Sequence, residues 1–311
     1  MPNLALEKVK EVSSFRKLAI GTWRTVGDPS TYGSLNVEMD AAMDYLARFR
    51  AATGLRVTVS HMMAKVMAAA LVRVPDANAI LRFHRIYRRK RIGVFFQVVM
   101  TDEGEGKVDL SGATIYDVEQ KSLHDVITEF ETKVDLVRKR KDPALEKTRK
   151  TFSRVPFWFM GKLLKMVSWA SFTMNWAVPG IPKDPFGSVM VTNVGSLGLD
   201  VAYAPLVPYS RVPMIMAIGA VEDTVVARDG EIVIRKMMKV STTFDHRIID
   251  GFHGAVISKV IRGWFSNPDK YFGPIPDMAP KALAGPDEQA ISEWIRPALT
   301  DAESDSGGDI S

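Results

Sequence analysis

Between Asp40 and Ala51, apolar residues recur at Ala42, Met43, Leu46 and Phe49, the spacing of one helix face, and Gly54 follows as a natural stop. Just before them, Tyr32 to Met39 alternates, with Leu35, Val37 and Met39 apolar, which predicts a half-buried strand. Ser60 to Val74 predicts the clearest helix of the chain. Ser60 is placed to cap it, Met63, Val66, Met67, Ala70 and Leu71 line its apolar face, and Pro75 cannot extend it. Arg82 to Tyr87 and Arg91 to Thr101 predict strands, the second with an apolar run from Val94 to Met100 suited to a central position. Leu123 to Arg140 predicts another amphipathic helix, and the charges from Arg138 to Lys141 read as its solvated end. From Gly187 the period shortens. Strands are expected over Ser188 to Val194, Met214 to Ala220 and Ile232 to Thr243, separated by Gly-, Pro- and Asp-Gly turns, with a helix over His253 to Phe265. Helices that must bury one face beside strands that must bury theirs predict an α+β class, a two-layer α/β sandwich.

Composition narrows the chemistry. The chain has 311 residues, 46% hydrophobic and 25% charged, enough for a sizeable core. A net charge of +5 is compatible with a phosphorylated ligand, an anionic membrane or nucleic acid, although no nucleic-acid-binding module is visible. The absence of cysteine excludes a disulfide framework, a thiolate metal site and a cysteine nucleophile, and fits a cytoplasmic location. Met1 to Lys10 lacks the apolar core of a signal peptide. Met166 to Pro182 carries no charge, but its Ser, Thr, Asn, Pro and Gly residues make a poor spanning helix. No Walker-type loop or dinucleotide fingerprint is present.

Five histidines occur, none in a His-x-x-x-His or His-x-His pair, so no metal is expected. His246 differs from the others by its setting. Asp245 precedes it, Asp250 lies four residues later, and Gly251 permits a sharp turn out of a strand. An imidazole with its tautomer fixed by a second group takes a proton from a thiol or hydroxyl near neutral pH. The competing reading is a polar strand end with local ion pairs.

Asp245-His246-Arg247-Ile248-Ile249-Asp250-Gly251 resembles the signature of the dihydrolipoamide acyltransferase catalytic domains of 2-oxo acid dehydrogenase complexes, and His246, Asp250 and Gly251 resemble the chloramphenicol acetyltransferase motif. Further segments resemble the family in the same order: Phe15 to Ile20 its opening Arg-Lys helix, Leu35 to Asp40 the next strand, Val57 to Asn78 the helix ending in Pro-x-x-Asn, and Val189 to Gly195 a strand ending in Ser-Asn-Leu-Gly. The resemblance implies a chloramphenicol acetyltransferase-like fold, a mixed sheet with helices packed on it, assembled as a homotrimer. It implies coenzyme A chemistry with acyl-CoA as substrate. His246 would be the general base, Thr192 would hydrogen-bond the tetrahedral oxyanion, and Asp250 would pair with Arg16 to hold the His246 loop. Each has a plain alternative: a solvent-facing strand threonine, a surface arginine, a helix cap.

The expected organisation is one catalytic domain over residues 1–299, with an aromatic-rich insertion at 150–184, a C-terminal extension from 274 and a disordered tail over 300–311. No lipoyl domain is expected ahead of it, so lipoamide would come from a lipoyl-bearing partner, or the acceptor would differ. Phe152, Phe157, Trp158, Phe159, Trp169, Phe172 and Trp176, interleaved with Lys162 and Lys165, fit three roles: an acyl pocket, a peripheral membrane contact, or a hairpin packed on the body. The basic run Arg82, Arg85, Arg88, Arg89, Lys90 and Arg91 is either a CoA phosphate contact or a solvated hairpin. A noncatalytic trimeric scaffold and a membrane-associated acyltransferase acting on lipidic substrates are the alternative functions.

Overall fold

A computed structural model describes residues 3–8, 10, 29–101, 108–138 and 156–275. Arg16, the tail over 300–311 and nearly all of the extension from 274 lie outside the described residues. In chain order the elements are β1 (Leu6–Lys8), β2 (Ser30–Glu38), α1 (Asp40–Thr53), α2 (Val59–Arg73), β3 (Ala79–Arg82), β4 (Arg85–Arg89), β5 (Gly93–Thr101), β6 (Val108–Tyr116), α3 (Leu123–Arg138), α4 (Phe157–Ser168), β7 (Val189–Asn193), β8 (Met214–Arg228), β9 (Glu231–Asp245), α5 (Gly251–Ser266) and the single turn α6 (Pro268–Tyr271).

Six strands form a mixed sheet in the order β2-β9-β8-β7-β5-β6, with β7 parallel to both of its neighbours and the remaining pairs antiparallel. Alternation along each strand sends one residue set to the helices. Leu35 and Val37 of β2, Met238 and Val240 of β9, Met214, Met216 and Ile218 of β8, Val189 and Val191 of β7, and Val94 and Phe96 of β5 meet Leu46, Phe49, Met63, Met67, Ile257 and Ile261 in one core. This is the two-layer α+β arrangement that the sequence predicts. The opposite face carries a smaller cluster, Met190, Leu206, Val212 and Ile215 with Phe95 and Phe186. A separate three-stranded sheet, β1-β4-β3, lies outside the main one.

Three local expectations are corrected. The cap of α2 is at Thr58, with extended backbone, and Ser60 lies within the first turn. His61 accepts the Thr58 amide on Nδ1 at 3.2 Å, an interaction that hydrophobic periodicity does not register. Residues 82–87 do not form one strand. Phe83 and His84 both take positive φ, 47° and 59°, and turn the chain from β3 into β4 as a two-residue hairpin. Strand β6 has no counterpart in the pattern reading, and β8 runs on to Arg228, well past its expected end at Ala220, whereas β9 matches its expected span to within two residues. Strands β8 and β9 form a hairpin closed by Asp229 and Gly230, both at positive φ.

One glycine pair is required by close approach. A Cβ on Gly187, at φ 62°, would lie 2.5 Å from the Gly93 carbonyl oxygen, where β5 and β7 begin side by side. The Ser188 amide donates to that same oxygen at 2.7 Å.

Candidate active site

Strand β9 ends at Asp245, and the chain then turns into α5 through His246 to Asp250. Hydrogen bonds, and no unusual backbone angle, make this turn. The Ile248 and Ile249 amides donate to the Asp245 carbonyl at 3.0 and 2.9 Å, and both isoleucine side chains are buried in the core. Asp245 and Arg247 form a buried ion pair, Nη2 to Oδ2 2.6 Å, with each side chain 9% exposed. The Arg247 amide also donates to Oδ1 at 3.0 Å. Gly251 is the first residue of α5 and is not among the positive-φ glycines, so the turn does not depend on its freedom.

His246 is held between these anchors and is half-buried. Its amide donates to the Pro29 carbonyl at 2.7 Å. Its Nδ1 lies 2.9 Å from the Ile249 carbonyl oxygen. A carbonyl only accepts, so Nδ1 carries the hydrogen and the lone pair of the neutral ring is on Nε2. That is the tautomer a general base needs.

Asp250 caps α5. Its Oδ1 accepts the Phe252 and His253 amides at 3.1 and 3.2 Å, and His253 Nδ1 lies 2.6 Å from the same oxygen. At that distance Nδ1–H donates to the carboxylate, which leaves the 3.4 Å approach of the Asp250 amide to the same nitrogen a weak contact. The cap that the sequence offered as the plain alternative is therefore present. Arg16, its expected ion-pair partner, is outside the described residues.

Thr192 lies on β7 in register with Ala217, then Ser241, then Ser34 across β8, β9 and β2. All four belong to the residue set that faces away from the helices. The structure does not bring Thr192 and His246 together within one chain. His246 is five residues beyond Ser241 and two strands over from Thr192, so their separation is about 16 Å along the strands and about 10 Å across them.

Several residues near this loop were not singled out by the sequence. Arg211, at φ 55°, sits beside Asp245 and Arg247, and its Nε donates to Ser168 Oγ at 3.2 Å. Burial and the neighbouring Arg247 pull its guanidinium below the usual range, with Asp245 opposing. No carboxylate pairs with it among the described residues. Among the described residues, the buried hydroxyls of Ser241 and Thr243 have no hydrogen-bond partner. Only register on β9 reveals these hydroxyls, and nothing in the pattern around Arg211 marked it.

Most of the basic run is engaged within the protein. Arg89 is buried and bonds both carboxylate oxygens of Asp184 at 2.5 Å, Arg88 meets Asp76 at 2.7 Å, and Arg91 meets Asp117 at 2.6 Å. Arg82 Nε donates to the Thr173 carbonyl at 2.9 Å. Arg85 and Lys90 are exposed. The run works mainly as fasteners for the insertion and the hairpin.

The catalytic-domain model of the 2-oxoacid dehydrogenases acyltransferase family matches residues 10–153 and 186–272. This chain belongs to that family. The match to the family does not cover residues 154–185. A curated relative, the dihydrolipoyllysine-residue acetyltransferase component of the pyruvate dehydrogenase complex of Rhizobium meliloti, is 27% identical over 248 residues, covering 77% of this chain and 45% of that protein. The lipoamide acyltransferase component of the branched-chain alpha-keto acid dehydrogenase complex of Pseudomonas putida is 37% identical over 81 residues, covering 26% of this chain and 19% of that protein. The chain thus spans less than half the length of these curated relatives.

Solved acyltransferase structures share the fold. A protein described as a probable dihydrolipoamide acetyltransferase from Listeria monocytogenes superposes with TM-score 0.60 at 16% identity, covering 87% of this chain and 99% of that one. The Azotobacter vinelandii dihydrolipoamide acetyltransferase gives 0.58 at 18% identity, covering 85% and 94%.

Proposed function

We propose that this domain moves an acyl group between coenzyme A and a thiol, with His246 as general base. The observation that carries the reading is the 2.9 Å contact of His246 Nδ1 with the Ile249 carbonyl, inside a loop locked by the Asp245–Arg247 pair. His246 Nε2 takes the proton of the attacking thiol. The sulfur forms a bond to the acyl carbonyl carbon, giving a tetrahedral oxyanion that the Thr192 hydroxyl stabilises by donating a hydrogen bond. Collapse breaks the other carbon–sulfur bond, and the departing thiolate recovers the proton from the imidazolium. The roles of a serine, a histidine and an asparagine in the catalytic mechanism have been investigated for the Azotobacter enzyme, the last two four positions apart. His246 and Asp250 have the same spacing.

Since Thr192 and His246 are far apart in one chain, the reading places the site between copies, with the base from one and the oxyanion donor from the next. A head-to-tail contact of that kind makes a ring when its rotation closes, and the homotrimer is the ring we propose. An exposed apolar patch supports it. Tyr32, Leu197, Leu199, Val201 and Tyr203 are each more than 40% exposed, and the rings of Tyr32 and Tyr203 meet edge to face at 5.6 Å. Dihydrolipoamide carried by a separate lipoyl-bearing chain is the proposed acceptor.

The test is consumption of acetyl-CoA with formation of free CoA, separated by chromatography, with dihydrolipoamide as acceptor. His246→Ala should lower kcat by about two to four orders of magnitude. Unchanged turnover would sink the proposal.

A further inference from the structure

We propose that the outer face of α4 and the turn after it dock on an anionic lipid surface. Lys162, Lys165, Met166 and Trp169 fall at positions i, i+3, i+4 and i+7, so they share one face of the helix, and all four are exposed. Trp176 extends the stripe. Its ring meets Trp169 edge to face at 6.0 Å, and the two indoles are 59% and 46% exposed. The intervening Leu163, Leu164 and Val167 are half-buried, so this helix turns an apolar side inward and still presents Met166 and two indoles to solvent.

The segment is fastened from behind, which leaves that face outward. Phe172 is buried against Leu4 and Ile80. The Asn175 side chain bonds the Leu4 backbone twice, Oδ1 accepting its amide at 2.6 Å and Nδ2 donating to its carbonyl at 2.9 Å. Arg82 holds the Thr173 carbonyl, and the Arg89–Asp184 pair closes the far end.

Charge selects the occupant. Residues 155–183 contain Lys162, Lys165 and Lys183 and no aspartate or glutamate, so the segment itself brings only positive charge to this apolar stripe. A symmetric contact between two copies would set these lysines against their like. An anionic bilayer offers apolar chains to Met166 and the indoles and negative headgroups to the lysines, the arrangement of an interfacial helix. None of the described helices is long and apolar enough to cross a membrane, so the segment lies on the surface. Ser168, the last residue of α4, accepts from Arg211 beside the Asp245–Arg247 pair, so docking would bring the His246 loop close to the lipid.

The experiment is co-sedimentation of the full chain with phosphatidylcholine vesicles, with and without phosphatidylglycerol. The protein should pellet only with the anionic vesicles, and less at high salt. Lys162→Gln and Lys165→Gln should each weaken partitioning about fivefold, and Trp169→Ser with Trp176→Ser should abolish it. All four side chains are exposed, so thermal unfolding of the variants should match the parent. Transfer from acetyl-CoA to soluble dihydrolipoamide should persist in the lysine variants, which separates this proposal from the catalytic one. Equal recovery in the supernatant with both vesicle types would overturn it, as would variants that bind undiminished. A fall in oligomeric mass in the tryptophan variant, with vesicle binding intact, would assign the face to a second copy instead.

Discussion

Arg247 returns onto Asp245, two residues back, through Nη2–Oδ2 at 2.6 Å and Nε–Oδ1 at 2.9 Å, and the residue enclosed between them is His246. The pair is nearly closed to solvent, so removing Arg247 strips the buried Asp245 carboxylate of its closest counter-charge. Arg247→Met should therefore cost about 3–5 kcal/mol of stability, measured by urea unfolding. At temperatures where the variant stays folded, kcat should fall while the KM for acetyl-CoA changes little, because the pair positions the base and does not touch the substrate. A KM increase with kcat preserved would contradict the positioning role.

Separation of Thr192 from His246 within one chain gives a second expectation. Thr192→Ala and His246→Ala should each be nearly inactive, yet the two co-expressed should recover activity. In a ring where each site takes its base from one copy and its hydroxyl from the next, random mixing leaves about a quarter of sites intact. No recovery in mixed oligomers, shown to be mixed by distinct tags, would mean that both residues serve the same chain.

His61 offers a pH-dependent test remote from the site. It is buried between the Phe96 and Phe130 rings, its Nε2 has no hydrogen-bond partner among the described residues, and burial together with Arg56 lowers its pKa from 6.5 to about 4. The folded state therefore binds the proton less readily than the unfolded chain. Above pH 6.5 neither state is protonated and this term is absent. As pH falls from 6.5 to 4 only the unfolded chain takes up the proton, and stability drops by roughly 3 kcal/mol before levelling off. His61→Gln keeps an acceptor for the Thr58 amide and should remove this part of the pH dependence of the urea midpoint.

Asp250 is predicted to act first through the helix it caps. Asp250→Ala leaves the Phe252 and His253 amides without their acceptor and should cost about 1–2 kcal/mol, seen as a lower thermal midpoint. Asp250→Asn retains an acceptor oxygen and should recover most of that stability. If activity falls equally in both variants while only the first is destabilised, the charge of Asp250 has a role beyond the cap.

The sequence by itself determined the features whose cause is local. Burial of one face imposes its period on neighbouring residues, so α1, α2, α5 and the apolar strands were legible from Leu46, Met67, Val94 and their repeats. The local ion pair and the Asp250 helix cap around His246 were legible too, since these groups act two or three residues away, whereas the turn does not use the freedom of Gly251. Tertiary structure decided whatever depends on register or on contact between distant segments. It turned Phe83 and His84 into a hairpin, paired Arg89 with Asp184, set Arg211 beside Arg247, and put Thr192 on a different part of the sheet from His246. A residue's period records whether it is buried. It does not record which residue from elsewhere in the chain, or from another copy, will lie against it.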